Sequence, residues 1–281
     1  MATTSKMFSS QNVFELKTIQ TSVIKTMIDA LKEILTDANL ELNPGDSNAE
    51  DESQRGSIKI ITMDPSQTVL VHLKLEGKFF EYYRCSRRTI IGISMLNLNK
   101  LIKTMTNNDT LTLFLAESDP NKLGILIENS DKNSVTLFKM NLMDLPQDRV
   151  NIPNQEFENV ITMPSVDFQK IVRDMSNLSE TIEIQNIGSR LHFSCKGEFA
   201  DQETILTENG TISFNNGTVR SNVIQGYYKL KYLVLFTKCT NLSNNITIYM
   251  KNDFPLIIQY KVGSLGNLKL ALAPMIQTSS N

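Results

Sequence analysis

Residues 142–159 read LMDLPQDRVNIPNQEFEN. Pro146 and Pro153, two of the eight prolines, lie within this stretch, with acids and amides between them. Proline fixes φ, removes a backbone donor and disfavours helix in the residue before it. The stretch therefore predicts an extended connector, with Val150 and Ile152 as isolated apolar residues. On either side stand halves of similar length, and one pattern recurs in both.

LNLNKLIKTMTNNDTLTLFL (96–115) reads as an amphipathic helix, a polar turn and an alternating strand. VDFQKIVRDMSNLSETIEIQ (166–185) and YKLKYLVLFTKCTNLSNNITIYM (228–250) share that layout, and VIKTMIDALKEILTDANLEL (23–42) is a longer version. In the longer version Val23, Ile24, Met27, Ile28, Leu31, Ile34 and Leu35 recur at helical spacing. The strands alternate, as in Thr110–Leu115 and Thr181–Ile184, which marks antiparallel sheets with one buried face. Four units, two on each side of the connector, predict an α+β fold of two similar domains, each with two helices packed on antiparallel sheets. The expected boundaries are a flexible extension at 1–13, domain one at 14–141, the connector at 142–159, domain two at 160–276 and a tail at 277–281. Within domain one, LNPGDSNAEDESQRGS predicts a long solvated acidic loop over 43–56.

Of the 281 residues, 41% are apolar and 21% charged, with a formal net charge of −2, as in ordinary globular proteins. No apolar run approaches membrane-spanning length, and the N-terminus lacks the apolar core of a secretory signal. Cys85, Cys195 and Cys239 are odd in number and show no CxxC spacing; the expectation is a reducing compartment with no disulfide and no zinc site. No phosphate-loop, dinucleotide, zinc-protease or serine-elbow motif occurs. His72 and His192 lie in alternating strand segments without a partner motif, and Asp64, before Pro65, reads as turn chemistry. No catalytic residue, metal ligand or cofactor is expected.

The helix charges follow a rule. Lys25 and Lys32 are seven apart, Lys100 and Lys103 three, Lys170 and Arg173 three, Lys231 and Lys238 seven. Both spacings return to nearly the same helix face. One such pair is ordinary solvation. Four of them in a slightly acidic chain predict a basic surface suited to phosphates without sequence readout. Asp29, Glu33 and Asp174 interrupt the rows, so weak binding is expected.

Repeat, connector and basic helices together resemble the proliferating cell nuclear antigen family, the eukaryotic and viral DNA sliding clamps. The resemblance runs from Phe14 to Ile276. It is carried by Met63-Asp64, Tyr83-Arg-Cys85, Leu142-Met-Asp-Leu145, Ile152-Pro153, Met163-Pro-Ser165, Phe236-Thr-Lys238 and Leu272-Ala-Pro274, in order. It implies a non-enzymatic, homotrimeric ring around duplex DNA, with the eight basic residues above facing the DNA. It also implies a pocket for a partner peptide with an aromatic plug, built from Met63, Leu70, Val150, Ile152, Phe157, Pro255, Ala271 and Pro274. The implied partners are DNA polymerase, flap endonuclease, DNA ligase and the clamp loader, in a nucleus or a viral replication compartment.

The resemblance places the subunit interface on two edge strands, Val135–Met140 (Val135, Phe138, Met140) and about Glu203–Thr207 (Thr204, Leu206). A proline at Phe138 is expected to give monomers. Departures include Gln67 and Thr68 where the family has histidine and valine, Ala271 where it has an aromatic, and Gly188 at the lysine that carries ubiquitin in many cellular members. The alternatives weighed are a subunit of a heteromeric checkpoint-type clamp, a DNA-modifying enzyme and a single-strand binder. The absence of tryptophan speaks against the last.

Overall fold

The computed structural model describes residues 12–46, 49–51, 55–147, 157, 159–216 and 223–275. The expected tail at 277–281 and most of the expected extension lie outside them. The chain divides into two compact units. The first comprises residues up to 62, 72–149 and 262–266; the second comprises 63–71, 150–261 and 267 onward.

Along the first half of the chain, β1 (Asn12–Thr18) leads into α1 (Thr21–Ile34), followed by β2 (Asp37–Asn43), β3 (Gly45–Asp46), β4 (Ser57–Met63) and β5 (Val69–Glu76), all in the first unit except Met63 and residues 69–71. Then come β6 (Tyr82–Cys85), β7 (Thr89–Ser94), α2 (Met95–Ile102), β8 (Asp109–Ala116), β9 (Lys122–Asn129) and β10 (Ser134–Asn141). An antiparallel sheet runs β10-β9-β8-β1-β6-β3, with β10 at its edge. Helix α1 buries Ile24, Met27, Ile28, Leu31 and Ile34 of the expected stripe and packs beside α2, while Val23 is half-buried and the buried Leu35 lies just past the helix end.

The second unit repeats the scheme with β11 (Asn159–Pro164), α3 (Ser165–Ser176), β12 (Thr181–Ile187), β13 (Arg190–Lys196), β14 (Asp201–Thr207) and β15 (Ser213–Asn216). After these come β16 (Ile224–Lys229), α4 (Leu230–Phe236), β17 (Asn245–Met250), β18 (Leu256–Val262) and β19 (Gly266–Leu272). A four-stranded sheet runs β14-β13-β12-β16, with β14 at the edge. Phe168 of α3 lies against Phe193 of β13, both fully buried. Each unit thus has two adjacent helices on antiparallel sheet, the α+β architecture expected.

Three local expectations are corrected. The acidic loop is not loop throughout: Gly45 and Asp46 pair with Cys85 and Arg84 as the short strand β3. The buried Tyr83 hydroxyl holds the loop's base by donating to the carbonyls of Asn43, at 2.6 Å, and Ser57, at 3.0 Å. Gly56 is required there: it takes φ +70°, and an added Cβ would lie 2.3 Å from the Tyr83 ring. Next, Phe79–Cys85 reads as one strand from its residues, but the strand starts only at Tyr82, because Gly77–Phe79 winds into a 3₁₀ turn closed by Phe80 N–H on the Gly77 carbonyl. Finally, α4 ends at Phe236 and continues as a 3₁₀ turn over Thr237–Leu242. Lys238 therefore does not share an α-helical face with Lys231, since the 3₁₀ winding breaks the seven-residue return.

Among the described residues no helix is long and apolar enough to cross a membrane, and no group of three or more His, Cys, Asp and Glu could hold a metal ion.

Candidate functional site

Helices α1 and α3 are each anchored by side chains that reach the segment following the neighbouring helix. In the first unit, Thr21 Oγ1 of α1 donates to the Thr106 carbonyl at 3.1 Å. In the second, the buried Ser165 hydroxyl at the start of α3 donates to the carbonyl of Ser243 at 2.6 Å, and Gln169 Nε2 reaches the Thr237 carbonyl. These bonds replace lost solvation at the helix ends and fix the cations above them.

The eight sequence-nominated cations are not equivalent. Lys100, Lys103, Lys170, Arg173, Lys231 and Lys238 are exposed. Among the described residues, Lys100, Lys103, Lys170 and Lys238 form no ion pair. Arg173 is 3.8 Å from Asp174, and Lys231 lies over the Tyr232 ring. Lys25 and Lys32 differ from the expectation of free cations. The Lys25 ammonium donates to the Met105 carbonyl, and Lys32 pairs with both Asp29 and Glu33. The Lys32 hydrogen bond holds the Asp29 carboxyl below its usual range against the opposing effect of burial, with smaller contributions from Lys32 and Lys103 charge. The helix-wheel count identified the face but not these partners, because Met105 lies in a loop and Asp29 shares the Lys32 side of the helix.

Strands β10 and β14 are both sheet edges, as the interface expectation requires of them. Met140 is buried, and Phe138, Thr204 and Leu206 are half-buried on the core side; Val135 is exposed on the outer side. The direction of the backbone groups decides which residues an incoming strand could meet. Leu142 N–H donates to the Asn121 carbonyl in step with the β10–β9 register, so the even-numbered residues of β10 point their N–H and C=O groups toward β9. The Phe138 amide is therefore already engaged, and a proline there strikes the β9 pairing rather than the outer edge. Gly197 N–H donates to the Ala200 carbonyl in step with the β13–β14 register, which likewise turns the even-numbered residues of β14 toward β13. On both edges the odd-numbered residues carry the outward backbone groups.

The expected peptide pocket falls in the second unit. Asp64 N–H bonds the Val69 carbonyl and Ala273 N–H bonds the Thr68 carbonyl. Counting along these antiparallel pairs sets Met63 opposite Leu70 and Leu70 opposite Ala271, a row of half-buried apolar side chains. Pro255 and Pro274 are half-buried as well. Val150 and Ile152 lie outside the described residues. Phe157 packs edge-on against Tyr249 (centroids 5.4 Å apart) and Phe254 (6.3 Å), with Lys269 over the Tyr249 ring and Lys251 over the Phe254 ring. Pro274 also lines a cavity of about 830 Å³ with Gly226, Tyr227, Tyr228, Phe254 and Met275. Sequence reasoning missed Tyr249, Phe254, Lys251 and Lys269. Tyr249 lies on β17, Lys251 and Phe254 in the turn around Asp253 and Lys269 on β19, where turn and strand reading stopped short of naming a face.

The Asp64 turn beside this row is rigid. Its carboxylate accepts from the backbone N–H of Ser66, Thr68 and Val69 and from the Ser66 hydroxyl. Burial raises the Asp64 pKa, but these hydrogen bonds outweigh it and hold the carboxyl below its usual range. Gln67 takes the left-handed conformation, φ +54°. The Thr68 hydroxyl accepts from Tyr232 Oη at 3.3 Å, a bond no valine could make, and Ser66 Oγ lies 3.0 Å from the same Tyr232 hydroxyl.

Two sequence-family comparisons cover nearly the whole chain. Residues 13–150 match the proliferating cell nuclear antigen N-terminal domain, and residues 151–275 match its C-terminal domain. The chain is 35% identical over 270 residues to a probable DNA polymerase sliding clamp of Paramecium bursaria Chlorella virus 1, covering 94% of this chain and 97% of the relative. It is 32% identical over 267 residues to the proliferating cell nuclear antigen of Chaetomium thermophilum, covering 94% and 98%. With both domain types in order and relatives aligned end to end, the chain belongs to the proliferating cell nuclear antigen family of DNA sliding clamps.

Proposed function

We propose that the protein is a processivity factor: three copies close head-to-tail into a ring around duplex DNA and tether polymerases and repair enzymes to it. The observation that carries this reading is that, among the described residues, β10 in one unit and β14 in the other each stand at a sheet edge, on a chain whose helices present exposed cations. Two different edges on one chain make a heterologous contact, which closes when the rotation per subunit allows it. A closed ring is held by topology, so its phosphate contacts need only be weak and salt-sensitive. Lys100, Lys103, Lys170, Arg173, Lys231 and Lys238 supply them, with Lys25 and Lys32 as the least available members of the set.

The ring performs no chemistry. Partner peptides dock an aromatic plug on the row Met63, Leu70, Ala271 and Pro255, bounded by Phe157 and Pro274, with Val150 and Ile152 contributed by the connector. DNA polymerase, flap endonuclease and DNA ligase are the partner classes, an ATP-driven clamp loader opens the ring, and the working place is a nucleus or a viral replication compartment.

The test is topological. The protein is loaded onto nicked circular DNA with a clamp loader, and the DNA is then linearised. Retention on the circle with loss from the linear form supports a sliding ring; equal retention on both refutes it. Mass by light scattering separates a homotrimer from a subunit that needs different partners.

A further inference from the structure

We propose that Asp29 is a counter-ion built into the DNA-facing layer, which keeps Lys32, and to a lesser degree Lys103, from gripping phosphates and so lets the ring slide. The proposal rests on the DNA-facing reading above.

The buried residues of the helices keep step, so the helices can be matched position by position. Ile24, Ile28 and Leu31 of α1 match Phe168, Val172 and Met175 of α3. Leu98 and Ile102 of α2 match Phe168 and Val172 in turn, as do Leu233 and Thr237 in α4 and the turn that continues it. The residue after Ile102, Val172 and Thr237 is a cation each time: Lys103, Arg173 and Lys238. All three are exposed. The residue after Ile28 is Asp29, its side chain 59% exposed. One helix of the four thus carries an acid at the position where the others carry a base.

An i,i+3 pair of opposite charges on a helix is ordinarily surface solvation. Asp29 does more than that. Its carboxylate accepts from the Lys32 ammonium, Glu33 lies 3.6 Å from the same ammonium, and the Lys32 side chain is left only 19% exposed. Asp29 also faces α2. The Lys32 hydrogen bond comes first in holding its carboxyl below the usual range, and the Lys103 charge and Asn99, both from α2, add to it. One carboxylate therefore serves the cation of α1 and the last cation of α2.

The consequence is an exchange rather than a gain. A phosphate that takes Lys32 must displace a carboxylate already in place, so one anion replaces another and few condensed counterions leave the DNA. Lys103 is close enough for its charge to lower the Asp29 carboxyl, and exposed charges act over about 10 Å at about 0.1 M salt, so a phosphate at Lys103 is repelled by Asp29 as well. Each contact stays shallow, and a ring held by topology moves most freely over shallow contacts.

The test reads salt slopes and mobility. Asp29→Asn keeps the size of the side chain and removes its charge. In duplex binding across a salt series it is expected to steepen the slope of log affinity against log salt by up to about 0.9 per chain, the value of one freed cation, while Asp29→Glu keeps the wild-type slope. Rings loaded on stretched DNA and tracked singly are expected to diffuse roughly two- to five-fold more slowly with Asp29→Asn. Adding Lys32→Gln to Asp29→Asn is expected to remove most of the added slope, which the loss of a merely structural carboxylate would not do. Circular dichroism checks that each variant is folded. An Asp29→Asn slope equal to wild type or flatter, unchanged diffusion, or a double variant that keeps the whole added slope overturns the proposal and leaves the DNA-facing reading standing. A wild type whose affinity for duplex does not change with salt overturns both.

Discussion

Lys32 and the pair Lys100 and Lys103 are all helix cations, yet they should behave differently toward DNA. Lys32 already has its counterions, Asp29 and Glu33, in its own helix. Lys100 and Lys103 are exposed and form no ion pair among the described residues. Each phosphate contact releases condensed counterions and adds about 0.9 to the slope of log affinity against log salt. Lys100→Gln with Lys103→Gln should therefore flatten that slope by about 1.8 per chain. Between about 50 and about 200 mM salt, the variant should lose about twelve-fold less affinity than wild type. Lys32→Gln should leave the slope unchanged, because the ions it would displace from DNA are offset by those its own carboxylates recapture. Fluorescence anisotropy of a labelled duplex across a salt series reads both slopes, with circular dichroism confirming the fold. A Lys32→Gln slope flattened by about 0.9, the value for a free cation, would refute the assignment.

Leu137→Pro removes an outward N–H from an edge strand and should give folded monomers by light scattering, whereas Phe138→Pro should cost stability in urea by disrupting the β9 pairing. Equal behaviour of the two would contradict the parity of the edge. Asp64→Asn should destabilise the protein by about 1–2 kcal/mol at neutral pH through lost charge-assisted hydrogen bonds. Because the folded Asp64 pKa is depressed, its contribution is complete above the unfolded value near 4 and fades as pH falls through the folded value. The gap between variant and wild type should thus narrow in acid, and a gap constant down to about pH 2 would refute the cause. Phe157→Ala should weaken a peptide carrying an aromatic plug roughly five- to ten-fold by calorimetry with little change in melting temperature; unchanged peptide affinity with a large loss of stability would assign Phe157 to packing alone.

Architecture was legible where a period repeated. The stripe Ile24, Met27, Ile28, Leu31 and Ile34 faces the core because those spacings recur on one side of any helix. Alternation alone placed Thr181–Ile184 in a strand, β12, with Ile182 and Ile184 buried. Partnership across distant segments was not legible. That Lys25 reaches Met105, or that Tyr232 reaches Ser66 and Thr68, depends on which loops the fold brings together. The switch from α to 3₁₀ at Thr237 was also hidden, since Thr237, Lys238 and Cys239 carry no proline or glycine to announce it. Family resemblance nominated the peptide row, but the outward residues of the edges had to be read from backbone bonds: the interface residues named from sequence on β14, Thr204 and Leu206, face the core, while Glu203 and Ile205 face out.

The Tyr83 hydroxyl staples the carbonyls of Asn43 and Ser57, so the distance between the two ends of the acidic segment is set by the domain rather than by the segment itself. Closing a longer segment between fixed ends costs only about 0.6 kcal/mol per doubling of its length. The position is therefore a natural socket: an epitope, a fluorescent protein or a targeting module could be spliced between residues 46 and 55 while the sheet that carries the staple keeps its geometry. Every assembled ring would then display as many copies of the cargo as it has subunits.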